Sequence, residues 1–307
     1  MDEAFAPGNA IDKVALKRLC RRSDAAGLWQ AAGHGAGLAL TGTAMTWALG
    51  TMWLAPALLV HGVVLIFLFA PLHEAIHRTA FASRRLNDAL AWVCGLVLLL
   101  PPEYFRAFHY AHHRHTQDPA RDPELATAKP AAWRDYVLLV SGLPYWRERT
   151  STLVRHAAGR AEAPFIPPRQ RPAIVREARV VLAIYGAVAA ASLAAGTWAA
   201  VTYWLAPVLL GQPALRLFLL AEHTGCPLVP DMLRNSRTTR TTWLVRQLAW
   251  NMPYHAEHHC YPALPFHALP SAHALLRDRI AVQAPGYVAV HRDIVGGLGR
   301  CRADRAG

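Results

Sequence analysis

Two stretches of the chain carry no charge at all: the residues between Asp24 and Glu74, and those between Arg179 and Arg216. A helix needs roughly 20 apolar residues to cross a bilayer, so each stretch has room for two spans joined by a turn. The first predicts helices near 30–51 and 53–72, turning around Gly50 to Pro56. The second predicts helices near 179–198 and 201–221, turning around Gly196 to Tyr203. Residues 89–102 are equally apolar but too short for a comfortable span, which suits a re-entrant or interfacial segment that does not cross. Residues 116–178 are polar and Pro-rich in parts. Within them Trp133 to Trp146 mixes aromatic, apolar and Arg side chains, as a helix lying in the interface does. The expected fold is therefore all-α and membrane-integral. It has four transmembrane helices as two hairpins, interfacial helices and a polar cap, in one domain over residues 1–307.

Charge gives the array a direction. Neither predicted turn is charged, so the 32 Lys and Arg and the 20 Asp and Glu all fall on or near one side. The net charge of +12 makes that side cytoplasmic by the positive-inside rule, and both termini are expected there. Lys13, Lys17, Arg18, Arg21 and Arg22 occupy the N-terminal region without an apolar stretch, which is not the pattern of a cleavable signal peptide. Basic excess in so apolar a chain points to lipid headgroups and not to nucleic acid. The five cysteines are scattered with no C-x-x-C pair, which excludes rubredoxin, zinc-ribbon and thioredoxin chemistry.

The 16 histidines are the anomaly, and eight fall into three clusters. These are His73-Glu-Ala-Ile-His77, His109-Tyr-Ala-His112-His113 and His255-Ala-Glu-His258-His259. On a helix, residues three or four apart share a face, so H-x-x-x-H aims two imidazoles one way. H-x-x-H-H spreads three imidazoles over roughly 100°. Eight such ligands exceed what one zinc needs and suit two metal ions. Imidazole accepts Zn, Cu, Fe and Ni alike, so ligand type does not select the metal. His73 and His77 follow the second predicted span, and His223 follows the fourth. If 89–102 does not cross, every cluster reaches the same membrane face.

The three clusters, their order and their position after paired spans resemble the integral-membrane fatty-acid desaturase and hydroxylase superfamily over roughly residues 50–290. The second continues as HHRHTQDPARDPE and the third as NMPYHAEHHCYPALPFHALP, similar to bacterial desaturases and hydrocarbon oxygenases. The resemblance implies a non-haem diiron centre that activates O2. Its ligands would be His73, His77, His109, His112, His113, His255, His258 and His259, with His223 as an additional one. It also implies a fatty acyl or lipid substrate and an external electron donor, a ferredoxin, rubredoxin or cytochrome with its reductase. A bacterial inner membrane is the expected location. The first box is H-x-x-x-H where many acyl-CoA desaturases have one more residue, which leaves lipid-linked, carrier-bound and non-acyl substrates open. The expected reaction is desaturation of an acyl chain, with hydroxylation or ketolation of a lipid or terpenoid chain as the alternative.

Around the boxes, Asn251, Glu74, Asp118 and Asp122 are candidates to orient ligands or hold water, and His115 is a weaker one. Each has an ordinary reading: an amide cap for Asn251, a helix-end carboxylate for Glu74, a solvated acidic turn for Asp118 and Asp122. Arg234, Arg237 and Arg240 are candidates to meet lipid phosphate or an acidic donor. His73-Glu74-x-x-His77 also matches a zinc metalloprotease motif. That reading leaves six clustered histidines without a role, and the chain has no Asp-Gly dipeptide to supply the usual further ligand.

Overall fold

The computed structural model describes residues 10–298, and over them the chain is helical apart from two strands of two residues each. Helix α1 (Lys13–Leu19) leads into α2 (Asp24–Ala48). The Ser23 hydroxyl accepts from the Ala26 N–H and so caps one of the donors that a first helical turn leaves bare. The chain turns at Gly50, whose φ of 74° suits a residue without Cβ, and returns as α3 (Leu54–Ile66) packed along α2.

The second predicted helix does not stop at 72. After two residues α4 (Phe69–His77) continues it, giving a 24-residue apolar stretch, Leu54–His77, that ends on the first histidine box. Pro71 explains the interruption: it has no N–H for the Phe67 carbonyl, and its ring crowds that carbonyl. Among the described residues, three unbent helical stretches are long and apolar enough to cross a membrane: Leu54–His77, Pro168–Ala194 and Val201–His223. With 25 residues α2 is also long enough, but Gly, Thr, Gln30 and His34 dilute its apolar character.

Helices α5 (Arg84–Val97) and α6 (Pro102–His115) meet at a bend of 99°. Leu99 at φ 54° and Pro101-Pro102 stop α5 from continuing, since a proline disfavours helical backbone before it. Gly95 permits the close return, because a Cβ there would lie 2.7 Å from the Leu100 carbonyl oxygen. Beyond the bend, His109 on α6 packs against His73 on α4 with ring centroids 4.4 Å apart. Segment 89–102 thus leads back to the face it left, as its length predicts.

Helices α7 (Trp133–Val140) and α8 (Leu143–Ala157) expose Trp133, Val137 and Leu143, the apolar outer face expected of an interfacial segment. On α9 (Arg171–Ala194) the buried Glu177 carboxylate accepts from the backbone N–H groups of Glu103 and Tyr104 at 2.9 and 3.4 Å. It caps α6, accepting from donors that the first turn of that helix leaves bare.

One π-helical turn, Val201–Leu205, precedes α10 (Ala206–His223). Pro207 cannot donate to the Tyr203 carbonyl, and the His61 Nε2–H does so instead at 3.1 Å. The main partner of α10 is α3, and that of α9 is α8. α3 and α10 cross at two glycines. A Cβ on Gly62 would lie 2.3 Å from the Pro207 carbonyl oxygen, and one on Gly211 would lie 2.1 Å from that of Gly62. Backbones can approach this closely only where side chains are absent. Trp47, Trp53 and Trp198, at the hairpin ends away from the histidines, are 80, 66 and 75 % exposed, as tryptophans at a membrane–water boundary are.

The cap follows α10: α11 (Met232–Asn235), β1 (Thr238–Thr239), α12 (Trp243–Leu248), α13 (His255–Cys260), α14 (Leu269–Leu276), β2 (Gln283–Ala284) and α15 (Tyr287–Gly297). β1 pairs with β2 in parallel, Thr238 opposite Gln283, and ties the end of the chain beside the third box. Trp250, Leu264, Leu269 and Leu276 fill its interior.

Candidate metal centre

Nine buried or half-buried imidazoles converge from four helices, α4, α6, α10 and α13, in two adjoining groups. In the first, the ligand atoms of His73, His77, His109, His113 and His258 lie within 4.8 Å of one another. His113 Nε2 is 2.9 Å from His109 Nε2 and 3.0 Å from His258 Nε2. The second brings His112, His223 and His259 together on the same criterion. His255 joins them, with its Nε2 2.9 Å from His223 Nε2. The rings of His113 and His259 stack at 4.1 Å where the two groups meet.

The division follows helix arithmetic. In the second box His109 and His113, four apart, go to the first group, while His112 turns to the second. In the third box His255 and His259, also four apart, go to the second group, and His258 turns to the first. Each H-x-x-H-H motif therefore splits two to one, in opposite senses.

Hydrogen bonds set the tautomers in the second group. His223 Nδ1–H donates to the Asn235 carbonyl at 3.1 Å. His112 Nδ1–H donates to Asp122 at 2.9 Å, and His255 Nδ1 lies 3.3 Å from the Glu222 carboxylate. His259 Nδ1 lies 3.2 Å from Thr116 Oγ1. Because a carbonyl only accepts, His223 carries its proton on Nδ1 and turns the Nε2 lone pair inward. His112, with its Nδ1–H on Asp122, likewise turns its Nε2 lone pair inward, 3.3 Å from that of His223, and His255 Nε2 lies 2.9 Å from His223 Nε2. Such lone pairs repel unless a cation lies between them. His73 Nδ1, His77 Nε2, His113 Nδ1, His255 Nδ1, His258 Nδ1 and His259 Nε2 are buried with no hydrogen-bond partner among the described residues. Burial, reinforced by neighbouring imidazoles, holds His255, His258 and His259 well below the ordinary histidine range, so they are neutral donors at physiological pH. The donor set fits transition-metal ions in both groups.

Of the four residues predicted to support the ligands, Asp122 does so. Burial opposes its charge, but donation from His112 and from the N–H groups of Gln117 and Glu124 holds its carboxyl below the usual range. Asp118 forms a turn with Ala120 and pairs with Arg121 at 2.7 Å. Glu74 is buried yet bonds no imidazole: its Oε2 accepts from Thr79 Oγ1 at 2.7 Å and from the Phe266 N–H at 3.2 Å. Asn251 donates to the Phe266 carbonyl from the other side. Glu74 and Asn251 thus clasp the loop after the third box. A glutamate held this way is not the free base a metalloprotease requires. His115 is half-buried and outside both groups. Arg237 is no surface cation: it donates to the Ala221 and Thr224 carbonyls and closes the end of α10 beside His223.

Sequence reasoning missed Thr116 and the Asn235 carbonyl, which meet His259 and His223, and Glu222, whose carboxylate lies 3.3 Å from His255 Nδ1. Glu222 is adjacent to His223, but adjacency on a helix does not say which neighbour a carboxylate meets. Left-handed backbone at Arg78, Gln117, Trp250 and Asn251 marks the edges of all three boxes. For non-glycine residues that geometry costs on the order of 1 kcal/mol each and persists only where the surroundings enforce it.

A cavity of about 30 Å³ adjoins the imidazoles. Phe67, Phe69, Phe105, Leu215 and Phe218 line its apolar side, and His73, His109, His112 and His255 line the other.

Removing the Asp122 carboxylate should loosen His112. Asp122→Ala is expected to weaken metal binding in the second group by about 10–100-fold, read by chelator competition. Asp118→Ala should leave it unchanged, and equal losses in both would mean that Asp122 does not hold His112 in place.

Comparison with known proteins agrees with this arrangement. The chain is 25 % identical over 241 residues to the sn-1 oleoyl-lipid 12-desaturase of Synechocystis sp., covering 71 % of this chain and 66 % of that protein, just under two thirds of its length. It is 27 % identical over 259 residues to the dihydrorhizobitoxine desaturase of Bradyrhizobium elkanii, covering 78 % and 70 %. The sequence profile of the fatty acid desaturase family matches residues 21–291, the span that carries every histidine, and this protein belongs to that family.

Proposed function

We propose that the two imidazole groups hold a pair of iron ions and that the enzyme introduces a double bond into a fatty acyl or lipid chain at the expense of O2. The observation that carries this reading is the two-to-one division of the second and third boxes, which builds two adjoining nitrogen-rich sites beside an apolar cavity. His73, His77, His109, His113 and His258 would hold one ion, and His112, His223, His255 and His259 the other. The bound pair would supply the oxidising power that an unactivated C–H bond demands and that side-chain acid–base chemistry lacks.

The protein's own contribution is position. Phe67, Phe69, Phe105 and Phe218 exclude water and hold an alkyl chain against the imidazole wall. Which carbon faces that wall decides the bond attacked. The names of both relatives describe desaturases, which supports loss of hydrogen over oxygen insertion. The one-sided charge of the chain supports a cytoplasmic location for the histidines and both termini, although the terminal residues lie outside those described. A bacterial inner membrane and a single domain over 1–307 complete the proposal. Electrons would come from a separate ferredoxin, rubredoxin or cytochrome with its reductase.

Lipid analysis after expression with ample iron and a reducing system tests it. The expected product has lost two hydrogens. A product that has gained one oxygen would make the enzyme a hydroxylase or ketolase. About two irons per chain by elemental analysis, coupled by Mössbauer spectroscopy, are expected. One zinc and no iron would overturn the oxidative reading.

A further inference from the structure

A second concentration of polar side chains lies between α8 and α10, outside both imidazole groups. The Arg216 guanidinium sits 4.4 Å from the centre of the Tyr145 ring, and that of Arg149 sits 5.7 Å from the same ring. Arg149 also covers the Tyr104 ring at 5.1 Å and is only 8 % exposed. Two cations thus share one aromatic side chain. Glu148, largely exposed, pairs with Arg149 at 2.7 Å, but Arg216 has no ion pair among the described residues. Arg149 Nε, Arg216 Nε and Trp146 Nε1 are buried without a hydrogen-bond partner. Gln212, one turn before Arg216 on the same face, is fully buried, and neither atom of its amide is paired.

Leaving such donors unpaired is costly, and the neighbouring cations, Arg149 buried and Arg216 half-buried, repel each other. The chemical complement is an anion with several oxygens, which the guanidinium fork matches. We propose that Arg149, Arg216, Gln212 and Trp146 bind the acidic head of the substrate, a carboxylate or phosphate borne by the fatty chain.

The surroundings give that head a direction. Arg216 is three residues from Leu219, which lines the cavity, and Tyr104 adjoins Phe105, which lines it too. Glu124 and Glu222 line the cavity at its imidazole end, 3.8 Å from His112 Nδ1 and 3.3 Å from His255 Nδ1. With the head held at Arg216, the alkyl chain runs toward His223. Seven helical residues separate the two, about 10 Å along the axis, so the anchored head measures off the stretch of chain that meets the imidazoles. This inference rests on a fatty-chain substrate.

Equilibrium binding to the iron-loaded full-length protein in lipid nanodiscs, without reductant, tests it. The probes are oleate, 1-oleoyl lysophosphatidate and oleyl alcohol. At least one acid is expected to bind about tenfold or more tightly than the alcohol. Oleate ahead of lysophosphatidate assigns a carboxylate head, and the reverse order assigns a phosphate. Arg216→Gln and, separately, Gln212→Leu should remove most of that preference while leaving the affinity for oleyl alcohol and the iron content unchanged. Equal binding of all three probes by the unaltered protein would overturn the proposal, as would an undiminished preference in Arg216→Gln. The unaltered protein decides the first point even if a variant fails to fold. Arg216-dependent binding of acid without any oxidised product would refute the proposed reaction and leave the head site standing. Product formation with no preference among the probes would do the opposite.

Discussion

His258→Ala is expected to abolish desaturation and to lower iron to at most one per chain, with helix content and membrane insertion unchanged. His258 is the one member of the third box that turns to the first imidazole group. Its Nε2 is 3.0 Å from His113 Nε2, and its ring lies 4.6 Å from that of His73 and 4.8 Å from that of His77. It therefore links α13 to both α4 and α6, and no other side chain of α13 does this for the first group. Elemental analysis and circular dichroism on purified protein check the result. His115→Ala removes an imidazole outside both groups and should keep both irons. Full activity in His258→Ala would remove the assignment of the first group.

Gly211→Val should be the most disruptive single change in the membrane region. Its Cβ would fall 2.1 Å from the Gly62 carbonyl oxygen and 2.4 Å from the Gly62 carbonyl carbon, atoms that cannot swing aside. Overpacking commonly costs about 1–3 kcal/mol, and a clash with backbone on both helices belongs at or above that range. The loss reaches the site because α10 carries His223, while α3 leads into α4 with His73 and His77. Forcing the two helices apart separates the first box from His223. Poor recovery of folded protein and loss of iron are expected together. Gly33→Ala provides the contrast: a Cβ there meets nothing within 4 Å, and alanine favours helix by about 1 kcal/mol, so thermal stability should hold or rise. Equal stability in Gly211→Val and the unaltered protein would mean that the crossing is not as tight as described.

Much of this was legible in local pattern. Charge-free runs locate the spanning region because lipid excludes charge over a length that the chain must match. The shortness of 89–102 forecast its return, and the 99° bend at Leu99 to Pro102 accomplishes it. The limits of the second helix were misjudged at 72 because hydropathy stops where the histidines begin. A helix ends only where its hydrogen bonds do, here at Arg78. Glu74 and Asp118 looked as able as Asp122 to orient a ligand. Only the fold turns Asp122 toward His112, Glu74 toward the loop at Phe266, and Asp118 toward Arg121. Arg237 read as a surface cation because a basic run in a polar loop normally is one, yet its partners are carbonyls that α10 presents from elsewhere in the chain.

The sequence by itself determined the number of imidazoles, the faces they share and the membrane class, because helical periodicity and hydrophobic length are local properties. The tertiary structure alone decided which imidazole joins which group and which acceptor fixes its proton. It also decided that the guanidinium groups of Arg149 and Arg216 gather around Tyr145. Those outcomes depend on distances between α4, α6, α8, α10 and α13, elements far apart in the chain, and packing sets such distances where local spacing cannot.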